Sequence, residues 1–193
     1  MKKAIVFDFF GVIGKSVYQV LFEKIGSIQP ANDAKIHDLH KALDNGFLSQ
    51  DEFLSQYAEL AGVSKSEFED IFHDSTSRFA VSNELIEYIN SLKAKCIKIG
   101  LLSNVNKEAY EEFIVPILSR INFDNIVLSF EVKLAKPSVE IYELTADRLG
   151  VDISDCVMVD DNVENCEGAR SAGMDAICYK STTQFKKDLK IYI

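Results

Sequence analysis

Five short apolar runs punctuate this chain of 193 residues, and they limit its fold more than any other feature: Ala4 to Phe7, Ile97 to Leu102, Ile126 to Leu128, Cys156 to Val159 and Ala176 to Tyr179. Short runs of continuous apolarity suit strands buried on both faces of a parallel sheet. Helical patterns separate the later four. Asn106 can cap a helix from Lys107 to about Arg120, bent by Pro116. Pro137 and Ser138 open a second helix that Gly150 closes, and Asn162 opens a third that Gly173 closes. Strands alternating with helices imply a doubly wound α/β sheet.

The stretch between the first two runs is different. Residues 15 to about 93 contain no convincing strand. Asn32 can start a helix carrying Ile36, Leu39 and Leu43. Ser49 with Glu52, and Ser64 with Glu67, both fit the S-x-x-E capping box. Phe53, Tyr57 and Leu60 recur at helical spacing after the first box, and Phe68, Ile71 and Phe72 after the second. This predicts a helical bundle inserted after strand one, with a helix near Glu84 to Lys93 returning the chain to the sheet.

Charge narrows the function classes. A net charge of −9 argues against a broad nucleic-acid surface or an anionic membrane partner. A small anionic substrate stays open, because a metal and one lysine can reverse the local field. Lys2 and Lys3 before an apolar run suggest a secretion signal, but Asp8 interrupts the run, Gly11 follows, and no Ala-x-Ala site appears. No apolar stretch approaches the ~20 residues of a membrane span. Cys96, Cys156, Cys166 and Cys178 lack metal-site spacing and read as buried free thiols. The expected location is the cytoplasm.

Polar residues stand at or just beyond four of these runs. Asp8 follows the first, Ser103 and Asn104 the second, Lys136 lies in the loop after the third, and Asp160 and Asp161 follow the fourth. Taken singly they are a turn residue, helix caps, a solvated lysine and capping acids. Taken together they would meet at the carboxyl edge of the sheet, where open α/β folds bind ligands.

These segments carry a resemblance. IVFDFFGVI resembles the first motif of haloacid-dehalogenase-like hydrolases, an apolar strand ending in a nucleophilic aspartate. LLSN resembles their second motif, EVKLAKPSVEIYELTADRLGV the third, and VMVDDNVENCEGARSAGM the fourth. The four occur in family order along nearly the whole chain. DNGFLSQDEF resembles a stretch of the small α-helical cap in the branch of epoxide-hydrolase amino-terminal phosphatases and sugar-phosphate phosphatases. The resemblance implies a Rossmann-like core, residues 1–14 and 82–193, with sheet order 5-4-1-2-3, and a helical cap, residues 15–81. It further implies a Mg²⁺ cofactor held by Asp8, the main-chain carbonyl of Phe10 and Asp161, with Asp160 bound through a water or standing behind these ligands. Asp8 would attack the phosphorus of a small phosphorylated substrate. Lys136 would neutralise Asp8 and phosphate, the Ser103 hydroxyl would bind phosphate oxygens, and Asn104 would orient that loop or touch substrate.

One position departs from the pattern. Phe10 stands where phosphatases of this family usually carry a second aspartate, the acid for the leaving oxygen and then the base for water. Such catalysis contributes on the order of 10²–10⁴ in rate. His37, His40 and His73 lie in the expected cap and read as ordinary helix residues. Three readings follow: a phosphatase that is slow or specialised for good leaving groups, a phosphate-binding protein with little turnover, or a carbon–halogen hydrolase, a branch with an aromatic residue at this position. The Asp160–Asp161 pair and a cap with only Arg78, near its end, weigh against the last.

Overall fold

The computed structural model describes residues 1–15 and 33–193, the side chains of Asp33 and His37 excepted. The described residues form a parallel five-stranded sheet in the order β3-β2-β1-β4-β5, the expected order read from the other edge. Its strands are β1 (Ala4–Phe7), β2 (Lys98–Ser103), β3 (Asn125–Leu128), β4 (Cys156–Asp160) and β5 (Asp175–Cys178). Every residue of β1 and β4 is buried, the central pair covered on both faces.

Alternation within β1 splits the core in two. Ile5 and Phe7 face a cluster with Leu85, Ile89, Ile99, Leu101 and Phe185. Ala4 and Val6 face the other, with Leu102, Val127, Ile141 and Met158. Successive strand side chains point to opposite faces, so one four-residue strand serves both layers.

Among the described residues, four helices lie between β1 and β2: α1 (Asp33–Asp44), α2 (Gln50–Ala61), α3 (Lys65–Ser77) and α4 (Asn83–Lys93). Helices α1 to α3 bury their own cluster around Leu43, Phe53, Tyr57 and Phe68. The expected start of α1 at Asn32 lies outside the described residues. Ser49 forms a complete capping box with Glu52, and Ser64 accepts from the Glu67 N–H. Arg78 ends α3. Helix α4 instead packs Leu85, Ile86, Ile89 and Leu92 against the sheet.

The remaining helices follow the later strands. The predicted helix from Lys107 is broken into α5 (Lys107–Ala109), a π-helical segment Tyr110–Ile114 and α6 (Val115–Leu118). Pro116, in the first turn of α6, has no N–H for the preceding ladder, which accounts for the interruption. A short α7 (Ser129–Val132) follows β3, then α8 (Val139–Leu149), α9 (Val163–Ser171) and α10 (Thr182–Asp188). Asn106 and Asn162 cap α5 and α9 as expected, each accepting from a backbone N–H. Thiols Cys156 and Cys166 are buried and Cys178 is half-buried, but Cys96 is exposed, correcting its assignment to the core. It sits in the turn before β2 with φ +60°.

Helix α9 lies close against the loop that carries Lys136. A Cβ on Gly168 would stand 2.5 Å from the Pro137 carbonyl oxygen and 3.0 Å from its Cα. Backbone cannot yield there as a flexible side chain would. Gly168→Ala is therefore expected to destabilise the protein by about 1–3 kcal/mol through overpacking, despite alanine's better helix propensity. Urea unfolding checks this; a stability equal to or above the parent's would mean that the helix and loop move apart without cost.

Candidate active site

Parallel pairing in register creates the site. Phe7 is level with Val159 on one side and Leu101 on the other. Asp8 therefore emerges beside Asp160, and its N–H donates to the Val159 carbonyl (2.9 Å). Asp8 and Asp160 are buried, at 7% and 0% exposure, whereas Asp161 is exposed. Carboxylate oxygens of the three lie within 4.8 Å of one another.

Like charges so close need a counterion, and Lys136 supplies one. Its ammonium lies 2.8 Å from Asp8 Oδ1 and 2.6 Å from Asp160 Oδ2. Burial opposes the Lys136 charge, but Asp160 and Asp8 outweigh it and hold the group above its ordinary range. Burial pushes Asp8 up to about 7; Lys136 pulls it back, and Asp160 and Asp161 push it further.

Each member is held by the chain around it. The Asn104 amide donates to the Lys136 carbonyl and accepts from the Lys136 N–H, both at 2.9 Å. The end of β2 thereby fixes the lysine loop, whose Lys136–Pro137 peptide is cis. Asp160 accepts from the Asn162 N–H (2.9 Å) and from the Asn165 side chain (3.0 and 3.2 Å). With Lys136 these contacts occupy both of its oxygens. Asp161 lies instead against Gly11: a Cβ there would fall 2.1 Å from Asp161 Oδ2, at a φ of +85°. Only glycine permits this approach without displacement.

Ser103, the last residue of β2, is fully buried, and its hydroxyl has no hydrogen-bond partner among the described residues. A buried hydroxyl without a partner is costly, which is consistent with a ligand or water completing it. Phe10 is half-buried and packs edge-on against Phe9, Phe79 and Phe113.

A cleft of ≈ 370 Å³ lies over these groups, bordered by Asp8, Phe10, Asn104, Lys136 and Asp161 from the sheet edge. Helix α1 contributes His40, Lys41 and Asp44. The His40 ring packs on Phe53 and Tyr57 within the helical cluster. His73 is exposed on α3 and does not border the cleft, and the His37 side chain lies outside the described residues. Two contributors were not singled out from the sequence: Asn165, in the first turn of α9 with its side chain on Asp160, and Asp44, the last residue of α1.

Comparison with known proteins agrees with this arrangement. The family model described as haloacid dehalogenase-like hydrolase matches residues 2–173. The Bacillus subtilis (strain 168) protein YhcW, provisionally named a phosphatase, is 28% identical over 190 residues, covering 92% of this chain and 83% of that one. An (S)-2-haloacid dehalogenase of Pseudomonas sp. (strain YL) is 29% identical over 100 residues, 52% of this chain and 43% of that one. A haloacid dehalogenase family enzyme of Bacteroides thetaiotaomicron, crystallised with magnesium and inorganic phosphate, superposes with a TM-score of 0.68 at 20% identity, over 94% of this chain and 96% of that one. With its motifs in family order on the expected sheet, the chain belongs to the haloacid dehalogenase-like hydrolase family.

Proposed function

We propose that this hydrolase is a magnesium-dependent phosphatase of small phosphorylated metabolites, with Asp8 as nucleophile. The observation that carries the reading is the approach of three carboxylates around one buried lysine. With Lys136 counted against Asp8, Asp160 and Asp161, two negative charges remain, which suits a divalent cation with oxygen ligands. Asp8, the Phe10 carbonyl and Asp161 would hold it, and Asp160, its oxygens already occupied, would act from behind. The ion supplies positive charge for the phosphoryl oxygens. A dehalogenase attacking carbon has no use for such an acidic cluster, so the cluster favours the phosphatase reading despite the aromatic residue at position 10.

The chain's own groups then divide the work. Asp8 attacks phosphorus and becomes an aspartyl-phosphate. Lys136 offsets the charge of both Asp8 and the incoming phosphate. The Ser103 hydroxyl donates to a phosphate oxygen. Asn104 holds the Lys136 backbone in place and borders the substrate. Residues 15–81 act as the cap over the cleft, which their own hydrophobic cluster lets them do as a unit. Oligomeric state is left open by this reading.

Screening simple phosphomonoesters with Mg²⁺, and with a chelator, tests the activity. Turnover should need the metal, and Asp8→Asn should abolish it with the fold intact; undiminished turnover by pure mutant protein would remove Asp8 as nucleophile. Calorimetric titration of Mg²⁺ should show binding to the parent and none to Asp161→Ala, and equal heats from both would remove Asp161 from the site.

Acidity gives a third expectation. In the metal-free folded protein Asp8 and Asp44 are pushed up to about 7 and about 8, whereas an unfolded aspartate releases its proton near ~4. Between those values the folded state binds more protons, so stability falls as pH rises. Melting temperature without metal should drop between pH 5 and pH 8, and Mg²⁺ should reduce the drop. A melting temperature that climbs across this range without metal would contradict the charge assignment.

A further inference from the structure

The phosphatase reading leaves a chemical gap. Phe10 can neither protonate a leaving oxygen nor activate water. The gap has a spatial constraint: in-line displacement places the leaving oxygen opposite the attacking atom. Asp8 attacks from the sheet edge, so the leaving oxygen must face the side of the cleft bordered by α1.

The acids bordering that cleft sort by position. Asp8 and Asp161 belong to the sheet-edge cluster, and Glu164 is exposed in the first turn of α9, on the same side. Asp44, half-buried at the end of α1, borders the cleft from the opposite side. Of the basic groups beside it, Lys41 is exposed and the His40 ring is packed into the helical cluster.

Two further observations single out Asp44. Its backbone is anchored to the core: the Ser129 hydroxyl donates to the Asp44 carbonyl (2.6 Å) while accepting from the Val105 N–H (2.9 Å). It also stands at a seam. A second, apolar pocket of ≈ 30 Å³, bordered by Leu43, Phe53, Phe72, Val105 and Phe113, shares Phe10, Asp44 and Asn104 with the cleft over Asp8. A phosphoester with its phosphate by Asp8 and its organic group in the larger cleft toward α1 would bring the bridging oxygen to the side of Asp44.

We propose that Asp44, from the inserted helices, carries out the proton transfers that position 10 cannot. This rests on the phosphatase reading. In the first step Asp8 forms a bond to phosphorus, the ester P–O bond breaks with its electron pair on oxygen, and the Asp44 carboxyl gives that oxygen its proton. In the second, the Asp44 carboxylate takes a proton from water as water attacks phosphorus. The Asp8–phosphate bond breaks, phosphate leaves, and both carboxyl groups return to their starting forms. Burial, and the nearby Asp8 charge, push Asp44 up to about 8 against the pull of Lys136, which favours the protonated form that the first step needs. Glu112, which borders the apolar pocket, is exposed and does not border the cleft over Asp8.

The test compares two phosphoesters with apolar aromatic groups but different leaving abilities, 2-phenylethyl phosphate and 4-nitrophenyl phosphate, at saturating Mg²⁺. The first needs leaving-group protonation and the second needs little. The parent should hydrolyse both. Asp44→Asn, with folding checked by circular dichroism, should lose ~10²-fold or more in kcat/KM for the phenylethyl ester and less than ~10-fold for the nitrophenyl ester. Asp44→Glu should regain part of the phenylethyl activity. Equal losses on both esters would mean that Asp44 only shapes the cleft, and no loss on either would mean that another group moves the proton; each overturns the proposal and leaves the phosphatase reading standing. A parent that hydrolyses only the nitrophenyl ester also overturns it, since no working acid would then be present. A parent inactive on both sinks the phosphatase reading and this proposal together.

Discussion

The buried lysine between two aspartates is the interaction on which the site depends. Lys136 is 4% exposed, and its ammonium reaches Asp8 and Asp160 at once. Isolated, each of these charges would be expensive to bury; together they form a network in which every partner is also hydrogen-bonded to the chain. Removing Lys136 would leave two buried carboxylates uncompensated. The surrounding structure reads as a set of devices for keeping this arrangement rigid: parallel register for Asp8 and Asp160, the paired Asn104–Lys136 backbone bonds, Asn165 over Asp160, and Gly168 admitting the lysine loop to α9.

Rigidity on one side of the cleft contrasts with the construction of the other. The sheet edge offers Asp8, the proposed nucleophile, with its cationic partner Lys136 and the acids suited to a metal. The inserted helices have a separate hydrophobic cluster and meet the core through contacts such as that between Asp44 and Ser129. In this chain the sheet edge is unusual at position 10, where an aromatic residue packed with Phe9, Phe79 and Phe113 replaces a polar one. Proton transfer is then a task for the inserted helices.

Much of this was legible in the sequence because its physics is local. Continuous apolar runs identified the parallel strands, and Ser49, Asn106 and Asn162 marked helix starts through hydrogen bonds made within three residues. Asp8, Lys136, Asp160 and Asp161 were visible because they follow strands, and strand order brings those ends together. Asp44 was not, since its place in the cleft depends on how α1 meets α7, a long-range relation without a sequence period. Cys96 was misplaced for the same kind of reason: a left-handed turn before β2 turns it outward. The break in the helix after Lys107 was foreseen at Pro116, but its π-helical form was not, because nothing in the residue types distinguishes it from a simple bend.

The central claim is that a phosphoryl group passes through Asp8, and trapping that intermediate tests it most directly. Parent protein turning over a phosphomonoester with Mg²⁺ would be quenched rapidly in acid, digested and read by mass spectrometry for a phosphorylated peptide. The account predicts an acid-stable, hydroxylamine-labile phosphoryl group on Asp8 that is absent when the metal is chelated. Steady turnover with no phosphoryl group on Asp8 at any quench time, or with the group on another residue, would contradict it.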